Sequence, residues 1–253
     1  MTDCFLSLVI PVYNEEKRLP NTLTSLFSLL GKQQYTYEVL VVENGSDDGT
    51  LEIAQNFARL YPSLRVLHEK ERGKGRAVKR GMLEAMGQFR FMSDVDFSMP
   101  VSEINRFLPP MLSDFDIAIA SREAPGSHRY REPLYRHMIG RIFNLLIRWI
   151  ALPGFHDTQC GFKCFRAEVV KDIFYYQTIS GWTFDVELLY IAQQRGYRIV
   201  EIPVPWYFNP ESKVRVLRDS LRMINDLLAI RAKASQGFYD VSNEKIHASI
   251  RPS

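Results

Sequence analysis

Four short apolar runs, LSLVIPVY, YEVLVVEN, LRVLHE and FRFMSDVD, stand in the first part of the chain, each closing in polar residues. The intervals between them have helical spacing: Leu19, Leu23, Leu26 and Leu30 in the first, Leu51, Ile53, Ala54, Phe57 and Ala58 in the second, and GKGRAVKRGMLEAM in the third. Valine-rich runs that stay apolar at nearly every position suit strands buried on both faces, and recurrence every three to four residues suits helices. Strand and helix in alternation leave one economical class, an α/β fold with a mostly parallel sheet flanked by helices. Asn14 or a neighbour is the expected cap of the first helix.

Farther along, FDIAIASRE predicts another strand, and EPLYRHMIGRIFNLLIRWIAL predicts a helix whose apolar face is interrupted by arginines. QCGFKCFRAEVVKDIF reads as a strand or turn and then a helix, and DVELLYIAQQRGY as a helix. YRIVEIPVPWYF is expected near a sheet edge, because Pro203 and Pro205 cannot donate to a ladder. SKVRVLRDSLRMINDLLAIRAK predicts a basic amphipathic helix at the C-terminal side, and a flexible tail is expected over 236–253.

With 253 residues, 46% hydrophobic and 24% charged, the chain is expected to bury one full core. A net charge of +3 gives no argument for nucleic acid as a partner. The opening MTDCFLSLVIPVYNEE has no signal-peptide pattern, and IFNLLIRWIALPGF, broken by Arg148 and Pro153, falls short of a membrane span, so neither export by that route nor a transmembrane helix is expected. Three cysteines, Cys4, Cys160 and Cys164, fit a reducing compartment. His156, Cys160 and Cys164 recur at four-residue spacing, but Gly161 intervenes and a fourth ligand is lacking, which argues for plain thiols rather than zinc.

In parallel sheets ligands bind beyond the carboxyl ends of the strands, and the polar stretches NEE, ENGSDDG, EKERGKG and DVD all fall at such ends. Any one of them also reads as a solvated loop; four together predict a binding site. Asp94 and Asp96 are hard oxygen donors suited to Mg or Mn, although an isolated Asp-x-Asp equally suits a solvated strand end. Lys74, between Gly73 and Gly75, offers a point charge for phosphate, although GKG is not a Walker loop and by itself reads as a surface turn.

VIPVYNEE, VVENGSDDGT, GKGRAVKRGM and DVD, in that order, resemble the inverting nucleotide-sugar glycosyltransferases of family 2, which have the GT-A fold with its Rossmann-like sheet. IASRE, DTQCGFKCF, GWTFDVELL and SKV narrow the resemblance to the polyprenyl-phosphate branch, especially the dolichyl-phosphate beta-glucosyltransferases and their bacterial relatives, from Leu6 to about Arg231. The resemblance implies a single domain over 1–235, with a nucleotide-sugar-binding half (1–120) and an acceptor-binding half (121–235). It implies transfer of glucose from UDP-glucose to dolichyl or another polyprenyl phosphate, with GDP-mannose as a rival donor, a small soluble acceptor as a rival acceptor, and nucleotide-sugar binding without turnover as the non-enzymatic alternative.

Carried over residue by residue, the resemblance implies Pro11, Tyr13 and Glu15 at the base and ribose, and Glu43 on the base. It places Lys74 at the diphosphate, Asp94 near ribose or metal, and Asp96 on the metal. Ser98 stands where some relatives have a metal-binding glutamine, and Glu43-Asn44 stands where an acidic pair is usual. Arg122, Arg136 and, less directly, Arg131 are the implied ligands of the acceptor phosphate, because fixed guanidinium groups suit an anionic nucleophile. Asp157 is implied near the reacting phosphate, as base or orienting group, and a helix cap is an equal reading. Asp185 and Glu187 are implied at the same pocket or in support of the fold, and Lys213 at phosphate or in water. A lipid acceptor implies a peripheral protein on the cytosolic membrane face, by way of IFNLLIRWIALPGF or the basic C-terminal helix, with a membrane-protein partner or a homo-oligomer as further possibilities.

Overall fold

The computed structural model describes residues 4–96, 98–210 and 216–240, the first six of the last span as backbone only. Lys213 and Arg215 lie outside the described residues. The first half alternates as expected: β1 (Leu6–Val12), α1 (Leu19–Leu30), β2 (Tyr37–Glu43), α2 (Thr50–Leu60), β3 (Leu64–His68), α3 (Lys74–Glu84) and β4 (Phe89–Ser93). The second half adds β5 (Ile117–Ser121), β6 (His128–Tyr130), α4 (Leu134–Ile150), β7 (Phe162–Arg166), α5 (Ala167–Ile173), α6 (Phe184–Gln194), β8 (Ile199–Pro203), β9 (Pro205–Tyr207) and α7 (Val216–Ser235).

Seven strands form one sheet in the order β3-β2-β1-β4-β7-β5-β8, with β6 and β9 as a separate parallel pair. Only β7 runs antiparallel to its neighbours. Alternate strand residues feed two cores, as a period of two requires. Val9, Leu40, Val42, Met92 and Ile119 face the layer that contains α3, α4, α5, α6 and α7. Leu8, Ile10, Val41, Phe91 and Ala118 face the layer built on α1. Pro203 ends β8, the edge strand, where its missing donor costs no ladder bond.

Asn14 does not cap α1, whose N-cap is Arg18. With φ of 51°, its N–H donates to Ser46 Oγ (3.0 Å) and its Oδ1 accepts from Asp47 N (2.8 Å). It therefore ties the β1–α1 turn to the β2–α2 turn, both at the carboxyl edge of the sheet. The segment from Gln236 packs as far as Asp240: Tyr239 is buried and its hydroxyl donates to Glu187 (2.9 Å). α7 buries Met223, Leu227 and Ile230 and packs against α4 and α6.

Candidate functional site

Strand order reverses between β1 and β4, the position where an open α/β sheet leaves a crevice at its carboxyl edge. Two cavities meet there. The larger, about 940 Å³, is lined by Pro11, Tyr13 and Glu15 after β1, by Asn44, Arg72 and Lys74, and by residues 178–182 before α6. The smaller, about 250 Å³, is lined by Arg122, Arg129 and Arg136 with Trp206 and Asp185. Lys74, Asp94, Asp96, Trp182 and Met223 belong to both walls.

The shared wall is electrostatically dense. Lys74 opens α3, 2.5 Å from Asp94 Oδ1 and 5.1 Å from the Trp182 ring centroid. Burial alone would lower the Lys74 ammonium, but Asp94, Asp185 and Asp96 outweigh it and hold it above its ordinary value. Burial, and then the charge of Asp94, raises the Asp96 carboxyl. The Ser98 N–H donates to Asp96 Oδ1 (3.1 Å), so Ser98 serves this carboxylate through its backbone. Gly161 is why Asp94 can sit here: its carbonyl accepts from Asp94 N (3.0 Å), and a Cβ at position 161 would lie 2.0 Å from Asp94 Oδ2.

Two neighbouring carboxylates, one raised by burial and then by the charge of the other, form a set of hard donors that a divalent cation would relieve, so Asp94 and Asp96 fit such an ion. Among the described residues no cluster of three or more acidic, histidine or cysteine side chains could hold a metal, so remaining ligands would come from elsewhere.

On the smaller cavity, Arg122 and Asp157 form a two-pronged pair, Nε to Oδ2 at 2.6 Å and Nη2 to Oδ1 at 2.9 Å, and the Arg122 N–H also donates to Oδ2 (3.0 Å). Burial would raise Asp157, but the Arg122 guanidinium prevails and holds its carboxyl at about 2. Asp157 is fully buried and is not among the lining residues of either cavity. Its carboxylate fixes Arg122 and also accepts from Gln159 N (3.1 Å), a turn-capping contact. Trp206 lies under Arg122 and Arg129, and Phe208 under Arg136, so aromatic faces position all three guanidinium groups.

Asp185 is 4% exposed; its Oδ2 lies 3.1 Å from the buried Lys163 ammonium, while its Oδ1 has no hydrogen-bond partner and Asp185 lines the smaller cavity. Burial raises its carboxyl, against the pull of Lys163 and Lys74. Glu187 serves the fold: it accepts from Thr178 N, Ile179 N, the Thr178 hydroxyl and Tyr239.

Of the expected site residues, Pro11, Tyr13, Glu15, Lys74, Asp94, Asp96, Arg122 and Arg136 line the cavities. Glu43 and Arg131 do not. Glu43 is 1% exposed, its carboxylate accepting from Ser46 N and lying 2.5 Å from His68 Nδ1, and the neighbouring Asn44 takes its place on the wall. Arg131 is exposed, in a left-handed conformation with φ of 61° that ends β6. Arg129 and Trp206, paired in the β6–β9 register, were not expected; their signal was the arginine density of HRYREPLYRH and the tryptophan of PVPWYF. His156 bonds Glu201, and Cys160 lies beside Met99 with its thiol pushed up to about 12, chiefly by burial.

A helix-covered, mostly parallel sheet whose switch-point crevice holds a carboxylate pair between two charged cavities is an α/β protein with a ligand site at the carboxyl edge of its sheet. The family model "Glycosyl transferase family 2" matches residues 7–174, and the chain belongs to that family of glycosyltransferases. It is 36% identical over 251 residues to the dolichyl-phosphate beta-glucosyltransferase of Homo sapiens, covering 92% of this chain and 76% of that protein. The enzyme of the same name from Dictyostelium discoideum is 31% identical over 253 residues, covering 94% and 77%. The crystal structure of glucosyl-3-phosphoglycerate synthase from Mycobacterium tuberculosis with Mn2+, UDP-glucose and phosphoglyceric acid superposes with a TM-score of 0.65 at 16% identity, over 90% of this chain and 79% of that one. At that identity the likeness is one of fold, and it bears out the GT-A architecture.

Proposed function

We propose that this glycosyltransferase moves glucose from UDP-glucose to dolichyl or another polyprenyl phosphate with inversion, releasing UDP and a beta-linked lipid phosphosugar. The observation that carries the reading is the meeting of two unlike cavities at one charged wall. The larger has room and mixed polarity for a nucleotide; the smaller presents three aromatic-backed arginines, which suits an anionic acceptor head better than a neutral hydroxyl. The names of the 31–36% identical relatives point the same way.

In this reading Tyr13 and Pro11 hold the base, Glu15 the ribose, and Lys74 the diphosphate. Asp94 and Asp96 would hold a divalent cation, Mg or Mn, which when bound neutralises the charge that grows on the departing diphosphate. Arg122 and Arg136 hold the acceptor phosphate in line with the anomeric carbon, and Asp157 keeps Arg122 in its rotamer. A phosphate nucleophile is already anionic, so no side chain has to remove a proton from it. In this reading the protein works at the cytosolic face of a membrane, because a polyprenyl chain would keep the acceptor in a bilayer.

The test is incubation with Mn or Mg, labelled UDP- and GDP-sugars and a short-chain polyprenyl phosphate, with label measured in the lipid phase. UDP-glucose-dependent transfer is expected, and Asp96→Ala should reduce it by at least about a hundredfold while the protein stays folded. Label that reaches only water or phosphoglycerate would overturn the lipid acceptor; mannose transfer from GDP-mannose alone would overturn the donor.

A further inference from the structure

Asn44 directly follows β2, is 5% exposed and lies on the wall of the larger cavity. Its N–H donates to Val12 O (2.9 Å), which continues the β1–β2 ladder by one residue. Its side chain meets the loop of residues 69–73 that leads from β3 to α3. Nδ2 donates to Glu69 O (3.3 Å) and to Glu71 O (2.7 Å), and Oδ1 accepts from Gly73 N (2.8 Å). Two carbonyls require donors and the Gly73 N–H requires an acceptor, so this network fixes one orientation of the amide. Both amide hydrogens are thus engaged inside the protein, and only a lone pair on Oδ1 is left for a ligand.

We propose that Asn44 is a positioning residue: it clips the 69–73 loop at the donor cavity, thereby sets Lys74, and does not select the base. The inference rests on the reading of the larger cavity as the nucleotide site. Gly73, with φ of 154°, is the N-cap of α3, and Lys74 is the first residue of that helix. The bond from Gly73 N–H to Asn44 therefore fixes where α3 starts, and with it the root of the side chain that comes within 2.5 Å of Asp94. Ser180 closes the other side. A Cβ at Gly73 would lie 2.6 Å from Ser180 O, so the loop runs in a slot between Asn44 and the 178–182 wall.

Three observations separate a clip from a reader of the base. A side chain that chose between bases would present donors as well as acceptors to the ligand, and Asn44 has no side-chain N–H left to present. The loop's other side-chain hold on this wall is weak: Arg72 pairs with Asp47 at 2.7 Å and lies 4.9 Å from the Tyr13 ring centroid, but the two charged side chains are 61% and 70% exposed, where an ion pair contributes little. The buried amide therefore carries more of the hold. An aspartate at position 44, of the acidic type usual there in the proteins this chain resembles, would keep the acceptor for Gly73 N. It would also put an oxygen where Nδ2 now meets the Glu71 carbonyl at 2.7 Å, and two acceptors repel.

The experiment compares Asn44→Asp and Asn44→Ala with wild type in the full chain, by hydrogen exchange without ligand, read by mass spectrometry, and by calorimetry with UDP and with GDP in the presence of Mg. In both variants peptides spanning 69–75 should exchange about tenfold faster, while those of β7 and α5 keep their wild-type rates. UDP should bind about tenfold more weakly to both, with the preference between UDP and GDP unchanged. Thermal melts establish that each variant is folded, and Asn44→Ala, which adds no charge, decides the matter if Asn44→Asp does not fold. Unchanged exchange over 69–75, or an altered preference between UDP and GDP, would overturn the inference. Loss of folding in both variants, or faster exchange throughout the chain, would also overturn it, by making Asn44 a general support of the fold. Wild-type protein that binds neither nucleotide would sink the nucleotide reading of the cavity instead, and the exchange rates would still decide whether Asn44 clips the loop.

Discussion

At the scale of single residues, the decisive pair is Arg122 with Asp157. Its two-pronged geometry is available only to a guanidinium and a carboxylate, and full burial of Asp157 makes the pair sensitive to any loss. The Asp157 carboxyl sits at about 2 in the folded protein against an ordinary 3.8. Because the folded value is the lower one, the pair's contribution is complete above about pH 4 and is lost as pH falls toward about 2; the difference amounts to about 2 kcal/mol. Asp157→Asn should therefore be less stable than wild type at neutral pH and should lose stability less steeply between those limits, read from urea melts at several pH values. Parallel slopes would mean that the carboxylate is not held down by Arg122. DTQCGFK drew attention to Asp157, but not to its partner, since sequence says nothing of which cation a buried carboxylate meets. Glu43 and Arg131 misled for a related reason: each neighbours a wall residue, Asn44 or Glu132, and a shift of one residue decides which side chain faces a cavity.

At the scale of elements, residues 178–182 form the wall of the larger cavity, and their hold comes from several sides. The Gly75 N–H donates to Ser180 O (2.9 Å), Gln177 Nε2 donates to Gly75 O (2.8 Å), and Lys233 Nζ donates to the Thr178 hydroxyl (2.5 Å). A Cβ at Gly75 would meet Ile179 O at 2.6 Å, so the approach of loop to helix requires glycine there. Glu187, 0% exposed, is the anchor, taking two backbone N–H groups at 2.9 and 2.8 Å. Glu187→Gln keeps the shape but supplies one acceptor oxygen in place of two charged ones. It should cost about 2 kcal/mol in denaturant melts and raise the donor KM more than it lowers kcat. A variant with wild-type stability would remove Glu187 as the anchor. The strands and helices of the first half were readable because apolar runs and helical spacing alternate cleanly there. The antiparallel insertion of β7 between β4 and β5 was not, because FKCFR, which buries even its Lys163, carries no sign of strand partner or direction.

At the scale of the whole molecule, two cavities with separate linings meet at a short common wall. The larger is built from the carboxyl ends of β1 and β2, α3, α7 and the 178–182 segment; the smaller from residues after β5, β6, α4 and β9. Substitutions that share no partner act additively, whereas groups in one charged network do not. If the smaller cavity takes the acceptor as proposed, Arg136→Gln, which touches that cavity alone, should leave nucleotide affinity by calorimetry unchanged while raising the acceptor KM about tenfold or more. Tyr13→Ala, on the donor side alone, should do the reverse, and the pair combined should multiply. Lys74→Gln sits on the common wall, 2.5 Å from Asp94, and should weaken nucleotide binding and acceptor use together. Its combination with Arg136→Gln should then fall short of the product. An Arg136→Gln protein with weakened nucleotide binding, or a Lys74→Gln protein with normal acceptor kinetics, would mean that the two cavities are not divided along this wall.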